Sequence, residues 1–118
     1  MAFKFEKLLV WQKAIDLTAD VHTISKKFPK TEVFILTSQI KRAADSVALN
    51  IAEGSTGQTN REFARFLSIA LRSSIEVVSC IYIAKRRDMI EEKDFQYLYK
   101  KCEELLVMIN SLRNSLFK

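Results

Sequence analysis

Turn-making residues are nearly missing from this chain of 118 residues, which has two glycines and one proline. A fold of many short strands needs many turns, whereas a few long helices need about three, so the shortage favours an all-α fold. Cysteine is equally sparse. Cys80 and Cys102 form no Cys-x-x-Cys pair and fall inside helical patterns, so they read as reduced thiols of a cytoplasmic protein rather than a disulfide framework. The single histidine, His22, has Ala19 three residues before it. That removes the Glu-x-x-His pairs on which a dinuclear carboxylate site in a helical bundle depends. No His-Glu-x-x-His string, phosphate-binding glycine loop or dinucleotide fingerprint occurs. The expectation is no metal, no cofactor and no enzyme activity. Long uncharged runs are absent as well: Val77 to Ala84 is too short to span a bilayer, and the charged N-terminus lacks the apolar run of a signal peptide. No membrane partner is expected.

What the sequence does have is periodicity. Four segments carry apolar residues at alternating steps of about three and four, the pattern of a helix-bundle seam. The first, about 8–27, has Val10, Ala14, Leu17, Val21, Ile24 and Phe28, and ends where Phe28 precedes Pro29. The second, about 31–53, has Leu36, Ile40, Ala43, Val47 and Ile51. Thr31 is placed as its N-cap, Glu32 suits its dipole, and Gly54 is placed as the residue after its end. The third, about 60–87, opens on the capping box Thr59-Asn60-Arg61-Glu62 and carries Phe63, Leu67, Ala70, Ser74, Val77, Ile81 and Ala84. The fourth, about 92–116, has Phe95, Leu98, Cys102, Leu105, Ile109, Leu112 and Leu116. Matched lengths and short loops predict one domain over 1–118, an antiparallel up-down-up-down four-helix bundle.

One inner stripe per helix suffices for a lone bundle, but the helices carry more. Trp11 and Ile15, then Phe34, Ile35 and Leu49, then Ile75 and Ile83 lie off the stripes. Apolar residues on several sides of a helix imply burial on several sides, so these seven are candidates for a homo-oligomer interface.

Charge is uneven within a net +5. Residues 58–87 hold six Lys/Arg against two Asp/Glu, and residues 88–104 hold three against six. Arg61, Arg65 and Arg72 fall on one face of the third helix, opposite its core stripe, with Arg86 on the same line and Arg87 beside it. They are the candidate phosphate contacts for RNA or DNA, which such a row would hold electrostatically and without base specificity. The competing reading is a solvated face with local pairs such as Arg72 with Glu76. Lys41 and Asp45 form a second such pair. Gln39, Arg42, Ser46, Asn50 and Glu53 share a face of the second helix and read either as a structural network or as a site.

Several strings together resemble a known family. They are Leu9-Val10-Trp11-Gln12-Lys13-Ala14, Phe28-Pro29-Lys30-Thr31-Glu32, Gln39-Ile40-Lys41-Arg42-Ala43-Ala44, Asn50-Ile51-Ala52-Glu53-Gly54 and Arg65-Phe66-Leu67-Ser68-Ile69-Ala70. The chain is similar to the bacterial four-helix-bundle proteins named for the intervening sequences of 23S ribosomal RNA genes, relatives of the accessory proteins of diversity-generating retroelements. Ile35 departs from that pattern, standing where many relatives have glycine. The resemblance implies a homopentamer without enzyme activity or cofactor, which in the retroelement relatives binds nucleic acid and the reverse transcriptase. Five copies of a +5 chain would carry about +25, which strengthens attraction for polyanions. The alternative is a structural scaffold or adaptor that binds a protein partner and has no direct nucleic-acid role.

Overall fold

A computed structural model describes residues 2–118. Four α-helices follow one another: α1 (Leu9–Ser25), α2 (Leu36–Ser55), α3 (Asn60–Arg86) and α4 (Glu92–Ser115). Each packs beside its neighbour in sequence, and α4 closes on α1, leaving α1–α3 and α2–α4 as the diagonals. This is the up-down-up-down bundle, 44 Å along its long axis and 24 × 21 Å across. Its architecture follows from the stripes. Every seam residue named above is buried except Leu112 and Leu116, which pack half-buried at the end of α4. A second buried row, Ala44 and Ala48 on α2 with Ser73 and Cys80 on α3, lets those two helices approach closely. By length and composition alone α3 would pass for a membrane span. In the bundle its apolar stripe packs between α2 and α4 and its opposite face is exposed.

Several boundaries differ from expectation, each for a local reason. Before α1, Lys4–Lys7 forms a 3-10 turn whose Phe5 ring meets Trp11 edge-on at 4.8 Å. The second helix begins at Leu36, not Thr31. Lys30–Glu32 is instead a separate 3-10 turn, and the N-cap of α2 is Ile35. Glu32 supplies the missing cap from four residues away, its Oε1 accepting from the Leu36 N–H at 3.4 Å. Gly54 is not the residue after α2 but part of it, without positive φ. It is there for closeness: a Cβ at Gly54 would stand 2.6 Å from Phe66 Cβ and 3.0 Å from Phe63 Cδ1 on α3. Half of the capping box forms, Thr59 Oγ1 accepting from the Glu62 N–H at 3.0 Å. The α3–α4 turn closes with Asp88 in the left-handed region at φ 56°, as the Met89 N–H donates to the Ala84 carbonyl at 2.8 Å. This is a glycine-type helix ending made with aspartate, one of the few residues that tolerate it.

Candidate functional site

The outward face of α3 divides along its length. Toward its N-terminus, Arg61, Arg65 and Arg72 are all exposed, with Cα positions about 6 Å and 10 Å apart along the axis at roughly 1.5 Å per residue. No carboxylate lies within ion-pair distance of any of them among the described residues. The expected Arg72–Glu76 pair does not form. Glu76 instead accepts a hydrogen bond from Gln39 Nε2 across the α2–α3 seam. The Lys41–Asp45 pair is likewise absent among the described ion pairs. Arg61, Arg65 and Ser68 line one open groove of about 450 Å³ with Thr59, Glu62 and Ala64.

A fourth guanidinium joins this group from α4, one that sequence reasoning missed. Arg113 Nη1 donates to Ser68 Oγ at 3.0 Å and Nη2 to Asn110 Oδ1 at 2.8 Å, both neutral partners that leave its charge uncompensated. Its signal was available: antiparallel pairing of α3 with α4 sets residue 113 beside residue 68. The same end is tied together by Asn60 Nδ2, which donates to the Leu116 carbonyl at 2.8 Å, and by Lys4 Nζ, 5.3 Å from the Phe63 ring centroid.

Arg86 and Arg87 do not belong to this cluster. They are exposed at the other end of α3, about 38 Å from Arg61 along the axis, and next to the acidic start of α4. Ion pairs concentrate at that far end: Lys27 with Asp94 at 3.0 Å and Glu91 at 3.7 Å, and Lys85 with Glu92 at 2.9 Å. The Asp94 hydrogen bond is the main cause of a Lys27 pKa above its ordinary value. The polar line on α2 splits in the same manner. Asn50 Nδ2 donates to the Ser46 carbonyl at 2.8 Å and to Ser46 Oγ at 2.9 Å, while Ser73 Oγ donates to Ser46 Oγ at 2.8 Å. With Gln39–Glu76 this is a structural network along the α2–α3 seam, and Arg42 and Glu53 stay outside it, exposed.

The candidate interface residues lie in three places. On α1 and α2, Ile15 and Leu49 are exposed, whereas Trp11 is half-buried beneath Phe5. On α3, Ile75 and Ile83 occupy the outward face beyond the arginines, with Tyr82 beside them. In the α1–α2 connection, Phe34 is 91% exposed and Val33 and Ile35 flank it, both also exposed. Two apolar grooves went unforeseen. One of about 250 Å³ runs between α3 and α4 and is lined by Ser74, Ile75, Val78, Tyr99, Cys102, Glu103 and Leu106. A more open one lies between the start of α1 and the end of α4, where Leu9 and Val107 are exposed. Single-helix periodicity does not reveal grooves, because a groove is a property of two helices and their spacing.

Among the described residues, no group of three His, Cys, Asp or Glu side chains is placed to hold a metal ion. Burial pushes the Cys80 thiol up to about 11, with Glu76 adding to the shift, and the Cys102 thiol up to about 12, a rise that the neighbouring Ser74 hydroxyl only partly offsets. Thiols held neutral in this way are poor nucleophiles. Ser74 Oγ is itself buried, and beyond its weak contact with the Cys102 thiol it has no polar partner among the described residues.

Comparison with known proteins agrees with the fold. A family model described as 23S rRNA-intervening sequence protein matches residues 6–111. Among solved structures, a protein of unknown function from the S23 ribosomal protein family of Bacteroides thetaiotaomicron VPI-5482 superposes with a TM-score of 0.83. It is 21% identical, and the alignment covers 89% of this chain and 98% of that one, a likeness of fold. No functionally curated protein matches the chain.

Proposed function

The chain belongs to the 23S rRNA-intervening sequence protein family, and from that premise we propose that it is a non-enzymatic, self-associating bundle that binds nucleic acid through its arginine face. One observation carries the reading: Arg61, Arg65 and Arg72 stand in a row, exposed and with no acid partner among the described residues. Guanidinium groups present several donors in a fixed plane and suit phosphate oxygens. Nothing in the row is shaped to read base edges, so binding is electrostatic and indifferent to sequence. Self-association would repeat the row on each copy and raise the local field. The exposed Phe34, Leu49 and Ile75 support it, since apolar patches of this kind mark protein contacts.

The test is a salt titration of binding to a labelled duplex. Log K falls with log salt by about 0.9 for each phosphate neutralised, so three arginines account for a slope near −2.7, or roughly a 40-fold loss between about 50 and about 200 mM. An Arg61/Arg65/Arg72-to-Ala variant loses that part of the slope. Affinity that is flat in salt, or unchanged in the variant, refutes the reading. The exposed apolar surface also favours a second reading, a scaffold that holds a protein partner. That reading gains if the chain recovers a partner after nuclease treatment while binding no duplex at low salt.

A further inference from the structure

The Val33–Ile35 connection is unlike the other exposed apolar sites because it is both prominent and fixed. Phe34 is 91% exposed, so its ring has almost no contact with its own chain. The backbone on either side of it is nonetheless held: the Glu32, Val33 and Ile35 N–H groups donate to Pro29, Lys30 and Glu32 carbonyls at 2.9, 3.2 and 2.9 Å. An apolar ring held out on a rigid turn is pre-organised for a contact.

A matching recess lies on the same chain. The groove between α3 and α4 has Ser74 and Cys102 on its floor and apolar walls from Val78, Tyr99 and Leu106. A cavity of about 150 Å³ holds a benzene-sized molecule, so the groove's 250 Å³ has room for a phenyl ring. The chain cannot fill its own groove. The knob hangs from the start of α2, and α2 is diagonal to α4, one wall of that groove. Charge agrees with the match. Lys30 beside the knob and Glu103 on the groove's rim are both exposed, and neither has an ion-pair partner among the described residues.

We infer that Phe34 of one copy inserts into the α3–α4 groove of the next. The contact is heterologous, knob to groove, so each copy offers one of each and copies join head to tail. The inference rests on the self-association proposed above and adds its direction and its anchor.

The experiment mixes two variants, Phe34→Glu and Ile75→Arg. Both sites are exposed, so the fold should tolerate each change, and a helical circular-dichroism spectrum with a cooperative melt checks that it does. By sedimentation each variant alone is a single chain, its self-association weakened at least about 30-fold, as loss of a hot-spot anchor implies. Mixed in equal amounts they form a one-to-one dimer and nothing larger, because one variant keeps the groove and the other keeps the knob. A Phe34→Glu chain that assembles like the wild type overturns the inference while leaving self-association standing, and so does a mixture that gives no dimer. A wild-type chain that stays single at every concentration overturns both.

Discussion

Replacing Gly54 by alanine should destabilise the bundle, although the same change in most helices is stabilising. In a helix interior alanine is favoured over glycine by about 1 kcal/mol. Here the added methyl would lie 2.6 Å from Phe66 Cβ, where carbon atoms normally rest about 3.5–4.0 Å apart. Phe66 Cβ is fixed to the α3 backbone and cannot swing aside as a side-chain tip would. The two helices must therefore part by about 1 Å, which weakens dispersion contact along the tightest seam of the molecule. Overpacking of a close-packed site costs about 1–3 kcal/mol, and a clash with a backbone-borne atom belongs at the upper end. Set against the propensity gain, the net loss is about 2 kcal/mol, or a fall in Tm of roughly 6–10 °C for a chain of this length. The assay is urea unfolding at fixed protein concentration, which keeps any association term constant, with the midpoint moved and the slope m unchanged. A G54A chain as stable as the wild type, or more so, would mean that α2 and α3 are not packed this closely.

Other outcomes follow from the buried groups. Ser74→Ala removes a buried hydroxyl whose polar neighbour is the Cys102 thiol and which has no stronger partner, so stability should change by less than about 1 kcal/mol; a larger loss in thermal melts would reveal a stronger partner for Ser74. Cys80 and Cys102 should resist alkylation at pH 8 in the folded protein and react readily in denaturant, as mass spectrometry can count. Their folded pKa values, about 11 and about 12, lie above the ordinary 9.0. The folded state therefore holds protons that the unfolded state releases. That stabilisation is complete below pH 9 and is lost as pH rises toward 11–12, a trend that the raised Tyr97 pKa, caused chiefly by its hydrogen bond to Asp20, shares. Urea midpoints that climb between pH 9 and 10.5 would contradict it.

The bundle was legible because its core is written at a single spacing. Val10 to Phe28, Leu36 to Ile51, Phe63 to Ala84 and Phe95 to Ile109 are buried as their periodicity predicts. What misled was residue identity read without its neighbours. Thr31 has the chemistry of an N-cap, but the 3-10 turn at Lys30–Glu32 postpones α2 and passes the capping to Glu32. Gly54 has the identity of a helix terminator, yet what constrains it is Phe66 Cβ on another helix, which no local pattern encodes. The candidate site was half legible. A helical wheel puts Arg61, Arg65 and Arg72 on one face with Arg86 in line, but it keeps angle and discards length along the axis, so it does not show that Arg86 stands at the far end of α3. Arg113 was missed because it reaches the row from a different helix. Trp11 drew attention as the largest off-stripe side chain, and the preceding turn, which carries no periodic signal, covers part of it.

The claim on which the account turns is that the exposed apolar residues around Phe34, Leu49 and Ile75 meet other copies of this chain and so gather its arginines into one basic assembly. Sedimentation equilibrium on the purified protein, over a wide concentration range and after nuclease treatment, measures this directly. The account predicts a mass that is a defined multiple of the 13.6 kDa chain and that persists on dilution. A mass of one chain at the highest concentration reached would contradict it.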